Sequence, residues 1–396
     1  MQRTYDDDGF EFARLIALGS TYRGLADIGE VLTTIERIPD GDRETWVREW
    51  TATADRLADA AQASADAGHD VSARTAWLRA ALYYDHASSM APGTSDPGAY
   101  HRLWERQRDC WDAAAARFDP PIEHVAIPYE DMTIEGYVLK PDASDEPRPW
   151  VVLNNGSDGP VVSMLAQGGQ AALDRGWNAL TFDGPGQGAT FHRQGVGFRP
   201  DWEAVITPVL DWLLARPDVD PTKVVLHGIS QAGYWVPRAA AYEHRLAAIV
   251  ADPGVVDVGA SWTSHLPQMM IDLFDQGDKD DFDDFMGAAD ADVRAMLQWR
   301  MAPYLTTSYY DAYQAASAQH LTTDEIAQIT CPTLILDPDD EQFWPGQSQQ
   351  LYDALTCEKR LVHFSRDEGA NWHCEVAAQG RRDEVVYDWL ADVLGA

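Results

Sequence analysis

The sequence predicts an α/β protein in which an all-helical segment precedes a larger domain built on a mostly parallel sheet. Three observations carry that expectation. Apolar residues recur every three or four positions before residue 118, the period then drops to two, and six short Val-, Ile- and Leu-rich runs follow in alternation with helical patterns.

The 396 residues suffice for one large domain and a smaller companion. Hydrophobic residues make up 45% and include 15 Trp, enough apolar surface to offset chain ordering, so global disorder is excluded. Acidic residues number 64 against 30 Lys plus Arg. The resulting net charge of -34 repels phosphate backbones and anionic lipid, which removes nucleic acid and the membrane surface from the expected partners. The lysines are Lys140, Lys223, Lys279 and Lys359, a bias that fits a GC-rich genome or a salt-adapted cytoplasm.

The opening "MQRTYDDDGFEFARL" has neither a basic leader nor an apolar run, and no window of 18 apolar residues occurs, so a soluble, cytoplasmic protein is expected. Cys110, Cys331, Cys357 and Cys374 are scattered with no CxxC pair. They read as reduced, mostly buried thiols rather than a disulfide framework or a zinc site.

From Thr45 to about Phe118 the apolar positions Trp46, Trp50, Ala54, Leu57 and Ala61 keep helical spacing, "ARTAWLRAALYYDHA" and "AYHRLWERQRDCWDAAAARF" continue it, and "APGTSDPG" breaks it. An N-terminal helical domain over 1–118 follows, with no 34-residue repeat to make it a tetratricopeptide array. At "EHVAIPYE" and "TIEGYVLKP" alternation of period two around Asp131 predicts a hairpin, opening a second domain over 119–396. The runs "PWVVLNN", "NALTFDG", "KVVLHG", "LAAIVAD", "PTLILDP" and "KRLVHFS" are apolar on both faces, as buried parallel strands must be. With the hairpin they make an eight-stranded sheet. "WEAVITPVLDWLLARPDVDP" is an amphipathic crossover helix, and the stretch of about 258–329 lacks strand signals and predicts a helical lid over the strand ends.

In "VVLHGISQAG" a buried run ends at Gly228, two residues before Ser230, and small residues follow before a helix. This is nearly the G-x-S-x-G elbow, in which a strained turn lifts a serine hydroxyl above a sheet. Ala232 stands where the second Gly is expected, with Gly233 directly after it. A serine hydroxyl needs a base, and the base a carboxylate to orient it. "CPTLILDPDDEQFW" supplies an acidic loop after a strand, and "KRLVHFSRDEGANWHCEV" supplies His373 in the loop after the last strand. Counting from Leu336 selects Glu341 as the acid, with Asp339 and Asp340 as rivals; Asp337 reads as a loop-solvating charge.

Among the other histidines, His363 and His227 read as packed or backbone-bonded, and His192 as a solvated loop residue. Backbone N–H groups of Gln231 and Ser157 are the expected oxyanion donors. Asp158 would then lie close to the reacting carbonyl, or else be an ordinary loop Asp. "TFDGPGQGATF" has three glycines after a strand, but without a following helix start or a lysine it predicts tight turns beside the pocket rather than a phosphate cradle. Met269, Met270, Met286, Met296 and Met301, with Trp299 and Phe285, read as lid core more than as pocket lining.

These residues together resemble the α/β-hydrolase superfamily over 120–396. The helical N-terminus with "FDGPGQG", "GISQAGYW" and "GANWHC" looks more narrowly like the group that contains the fermentation-respiration switch protein, 2,6-dihydropseudooxynicotine hydrolase and polyketide-shortening hydrolases. The resemblance implies a Ser230–acid–His373 triad, helices and lid closing over the site, and cleavage of an ester or of a carbon-carbon bond next to a ketone. It also places Asp158 at an acidic position near the oxyanion loop, with Asp where Glu is usual there, and Glu341 where Asp is commoner.

The expected activity is therefore acyl transfer from a mid-sized, partly apolar small-molecule carbonyl substrate to Ser230, followed by hydrolysis. Such chemistry requires no cofactor and no metal. A homodimer is compatible with the fold, though no residue points to one. An ester-only carboxylesterase, an aminopeptidase, and a catalytically silent hydrolase fold that binds a partner protein are the alternatives.

Overall fold

The computed structural model describes residues 3–396. Five helices come first: α1 (Asp8–Gly19), α2 (Ile28–Ile35), α3 (Arg43–Asp66), α4 (Asp70–Ser89) and α5 (Ala99–Ala115). The starts of the first three are set by acidic caps: Asp7 accepts from the Phe10 N–H, Asp27 from Gly29 and Asp42 from Thr45. The predicted stripe Trp46, Trp50, Ala54, Leu57 and Ala61 is buried along α3, which packs on α4 as α4 packs on α5.

Strands β1 (Glu123–Tyr129) and β2 (Met132–Leu139) form the hairpin, followed by β3 (Arg148–Asn154), α6 (Gln170–Asp174), β4 (Asn178–Phe182), α7 (Gly188–His192), α8 (Glu203–Leu214), β5 (Val219–Ile229), α9 (Ala232–Ala240) and β6 (Ala248–Asp252). The lid is α10 (Ala260–Thr263), α11 (Gln268–Gln276), α12 (Lys279–Gly287), α13 (Ala291–Met301), α14 (Tyr309–Ser317) and α15 (Thr323–Ile326). Then come β7 (Thr333–Pro338), α16 (Gln347–Ala354), β8 (Lys359–Phe364) and α17 (Gln379–Leu394). The eight strands lie in the order β1-β2-β4-β3-β5-β6-β7-β8. Pairing is antiparallel from β1 through β4 and parallel from there to β8.

Strand alternation splits the core into two layers. Val151 and Leu153 of β3 join a cluster that runs without interruption into α1, α3, α4, α5 and α17, while Trp150 and Val152 face α8 and α9 on the other side. On α8 the predicted positions Trp202, Val205, Ile206, Val209, Leu210 and Leu213 are all fully buried. The lid has a small core of its own around Met270, Phe282, Met286, Met301 and Tyr313; Met269 and Phe285 are exposed instead.

Three details depart from the sequence expectations. His363 is neither packed nor backbone-bonded: β8 is the sheet edge, and its outward positions reach solvent, where His363 pairs with Asp337 at 3.2 Å and Asp339 at 2.8 Å. His192 is not a solvated loop residue, because α7 carries it onto the Trp104 ring with centroids 4.4 Å apart. And a helix does start after "GPGQG", at Gly188. Its first turn is occupied by a carboxylate of the chain itself, since Asp183 accepts from Ala189 N–H at 2.9 Å and pairs with the buried Arg108. His227 is packed as expected, with both ring nitrogens unbonded, and burial pushes it down to about 3. No helix among the described residues is long and apolar enough to cross a membrane. All four cysteines are free, Cys110 and Cys374 buried.

Candidate active site

Ser230 sits where β5 ends and α9 begins, with φ of 59°, a left-handed conformation that an L-residue adopts only under constraint. Its own N–H donates to the Asp252 carbonyl at 2.6 Å, fixing the turn to β6. The turn is tight enough that a β-carbon on Gly228 would lie 2.3 Å from the Ala232 carbonyl oxygen, and one on Gly233 would lie 1.9 Å from that of Pro253. That contact explains the shifted second glycine: residue 232 has room for a methyl group, and 233 has none.

His373 lies in the loop after β8, and its Nε2 is 2.9 Å from Ser230 Oγ. On the other side of the ring, Nδ1 is 2.8 Å from Glu341 Oε2. The second carboxylate oxygen of Glu341 accepts from the Phe343 N–H at 2.9 Å and the Trp344 N–H at 3.2 Å. The rivals are engaged elsewhere: Asp340 with Arg366 and Asn371, Asp339 with His363 and the Arg366 N–H. Burial alone would raise the Glu341 carboxyl, but the facing His373 charge and these hydrogen bonds outweigh it and hold the group below its ordinary value. Likewise burial opposes a charge on His373, and the Glu341 carboxylate more than compensates, raising its pKa above 6.5. Phe343 meets the imidazole edge-on at 4.7 Å.

The loop after β3 comes over Ser230 from the other side. A β-carbon on Gly156 would lie 2.7 Å from Ser230 Cβ and 3.2 Å from its Oγ, so only glycine lets this backbone approach. The loop is braced from the "GPGQG" segment, where the Gln187 amide donates to the Asn155 and Gly156 carbonyls at 2.8 and 2.6 Å. Among the described residues no protein acceptor meets the backbone N–H of Gln231 or of Ser157. The side chain of Gln231 reaches the lid instead, donating to Gln319 at 3.1 Å, and Gln319 in turn accepts from Trp235 and donates to Tyr304. Asp158, two residues past Gly156, is exposed, and its charge acts on His373.

Two features were invisible in the sequence. Behind Ser230 Asp252 and Glu375 are buried near Arg382, and burial pushes Asp252 up to about 6 and Glu375 well above the carboxylate range. Facing Asp158 from α4 is Asp85, which burial and the Asp158 charge push up to about 8. The only hint of it was an acidic residue in the otherwise apolar "ALYYDHAS". Among the described residues no group of three or more His, Cys, Asp or Glu side chains is arranged to hold a metal ion.

The eight-stranded sheet with its antiparallel end, the helices around it and the elbow at its centre define a hydrolase of the α/β-hydrolase fold. A family model described as "Esterase FrsA-like" matches residues 31–302, and the chain belongs to that family. Among curated relatives, hydrolase ORFZ of Pyricularia oryzae is 27% identical over 407 residues, covering 96% of this chain and 93% of that protein. The 20-hydroxy-prefusarin hydrolase FUS2 of Gibberella moniliformis is 26% identical over 410 residues, covering 98% and 97%. Among solved structures the 2,6-dihydroxy-pseudo-oxynicotine hydrolase has the same fold, with a TM-score of 0.75 at 22% identity over 95% of each chain. AbyA5 has it as well, with a TM-score of 0.67 at 18% identity over 98% of this chain and 95% of that one.

Proposed function

We propose that the chain is a serine hydrolase that cleaves an ester or a β-diketone carbon-carbon bond in a mid-sized, partly apolar small molecule through an acyl-enzyme. One observation carries the reading: the His373 ring spans 2.9 Å to Ser230 Oγ on one side and 2.8 Å to Glu341 on the other. In that arrangement His373 takes the Ser230 proton as Oγ attacks a carbonyl, and Glu341 holds the ring in the right tautomer and stabilises its charged form. The unengaged N–H groups of Gln231 and Ser157 receive the developing oxyanion. Collapse expels an alcohol or an enolate, and water then attacks the acyl group with His373 again as base. Asp158 serves as an auxiliary carboxyl beside the reacting carbonyl. The fungal hydrolases that match over nearly the full chain support a substrate of polyketide type. A cytoplasmic setting suits four free thiols.

The test is labelling with a fluorophosphonate and location of the adduct by peptide mass spectrometry, beside a Ser230→Ala control. An adduct on Ser230, absent from the variant, is expected. A folded protein that takes no label, or a variant that keeps full turnover, overturns the reading and favours a silent fold that binds a partner.

A further inference from the structure

We infer that Gln187 is a positioning residue for acyl transfer at Ser230: its side-chain amide holds the Gly156–Ser157 peptide in the orientation that presents the Ser157 N–H to a developing oxyanion. The inference rests on the Ser230 reading above and deepens it, since it gives the "GPGQG" turn a part in the chemistry.

Gln187 is buried at the start of α7, and both ends of its amide are engaged. Its Oε1 accepts from the Gly184 N–H at 3.0 Å, and its Nε2 lies 2.8 Å from the Asn155 carbonyl oxygen and 2.6 Å from that of Gly156. Those partners fix which end of the amide is which. A backbone N–H can only donate and a carbonyl can only accept, so the oxygen faces Gly184 and the two amide hydrogens go one to each carbonyl. The turn that carries Gln187 is itself tied down. The Gln187 N–H donates to the Gly184 carbonyl at 2.9 Å, and Asp183, just before it, accepts from the Ala189 N–H and pairs with the buried Arg108 of α5.

The two peptide units that Gln187 reaches are held unequally. The Asn155 carbonyl also accepts from Asn154 Nδ2 at 3.0 Å, and the N–H of the same unit, that of Gly156, donates to Asn155 Oδ1 at 2.8 Å. Asn154 in turn is fixed by Trp202, whose indole N–H donates to its Oδ1 at 2.7 Å. The next unit joins the Gly156 carbonyl to the Ser157 N–H, and among the described residues Gln187 is its one hydrogen-bond partner. A peptide is planar and trans, so its C=O and N–H point in opposite directions. A carbonyl turned to Gln187 therefore fixes where the Ser157 N–H points. Gly156, which must lack a β-carbon to pass Ser230, lets that plane rotate at little cost. The missing side chain that allows the loop its approach is also what makes a clamp necessary.

The other donor needs no such help. The Gln231 N–H belongs to the Ser230–Gln231 peptide, whose carbonyl accepts from the Gly233 N–H at 2.8 Å within the elbow itself. One arm is set by backbone and the other by a side chain, which makes Gln187 the replaceable part. Its hydrogen bond to the Gly156 carbonyl also polarises that peptide and strengthens the Ser157 N–H as a donor. The charge this N–H meets develops on the substrate oxygen only as Ser230 Oγ adds to the carbonyl. Gln187 therefore acts on kcat rather than on KM.

The test compares wild type, Gln187→Met and Gln187→Glu in turnover of 4-nitrophenyl acetate and in inhibition by two ketones of similar shape, trifluoroacetophenone and acetophenone. The activated trifluoromethyl ketone takes up Ser230 Oγ to form a hemiketal whose oxygen occupies the oxyanion position; acetophenone only binds. Gln187→Met nearly keeps the volume and removes both hydrogens. It should lower kcat by about 10- to 100-fold, short of the roughly 100- to 1,000-fold that deleting an oxyanion donor costs, with KM within about twofold. Inhibition by trifluoroacetophenone should weaken by the same factor as kcat/KM falls, while inhibition by acetophenone stays unchanged. Gln187→Glu keeps the oxygen facing Gly184 but cannot supply both hydrogens, and should lose in the same selective way; it carries the test if Gln187→Met does not fold. An unchanged kcat, or equal losses of both ketones, overturns the assignment, the second because a distorted pocket does not tell them apart. Failure of the serine reading looks different: the wild type itself would take no fluorophosphonate label and would bind the two ketones alike.

Discussion

Phe12, on the first helix, lies against His373, near the far end of the chain, with ring centroids 6.3 Å apart. It also meets Phe343 at 6.2 Å, so the imidazole is held between aromatic rings from opposite ends of the sequence. Phe12 acts through the base rather than on substrate. An aromatic contact of this kind contributes about 1 kcal/mol. Phe12→Ala should lower kcat by roughly fivefold at that energy while leaving KM nearly unchanged, and Phe12→Leu should restore most of it; steady-state kinetics on one ester substrate decides.

The Glu341–His373 pair sets the acid limb of the pH profile. His373 must be neutral to take a proton, and its pKa is raised above 6.5, so kcat/KM should begin to fall while the pH is still above 6.5. Glu341→Gln removes the charge that raises it; burial then prevails, and the limb should move to lower pH. The same variant should lose about 10⁴-fold in kcat through the wrong tautomer. A limb that stays in place would mean another group is being titrated.

The approach of Gly156 to Ser230 leaves no space for a methyl group. Gly156→Ala puts a carbon where Ser230 Cβ is 2.7 Å away, and either the loop or Ser230 must move. A displacement of about 1 Å at a reacting atom costs on the order of 100-fold in rate. We expect that loss in kcat with only a small change in Tm, measured by calorimetry beside turnover.

Asp85 gives a stability test independent of activity. Its carboxyl is raised to about 8 in the folded protein from an ordinary value of 3.8, so the folded state holds a proton that the unfolded chain has released. Stability should therefore fall as pH rises from about 4 to about 8. Asp85→Asn removes that penalty: its Tm should exceed that of the wild type at pH 8 by more than at pH 5. Parallel Tm curves for the two proteins would show that Asp85 titrates normally.

The strands were legible because each is a short run whose composition already fits a buried sheet, and "VVLHGISQAG" carries the elbow within ten residues. Glu341 and His373 could be singled out because strand–loop order recurs in the sequence, while among Asp339, Asp340 and Glu341 the one whose carboxylate faces the ring depends on how the loop turns, and it is Glu341. Asp85 could not be read. Its meaning depends on Asp158, brought to it across the junction of helices and sheet, and local pattern records only a charge in an apolar stretch. His192 and His363 were misjudged for related reasons. A five-residue helix is too short to have a period, and strand order, which makes β8 an edge, is not a property of any one segment.

The uninterrupted core between the first helices and α17 bears on how the protein is made. Trp46, Trp50 and Trp111 leave the ribosome well before Tyr387 and Leu390, members of the same cluster. At about 5–20 residues per second the intervening chain takes on the order of tens of seconds to synthesise. Throughout that interval the nascent helices keep an apolar face that α17 has yet to cover. The core of the helices is completed only when α17 has been made, which makes chaperone occupancy of residues 8–115, measurable by ribosome-bound capture, the natural companion of synthesis.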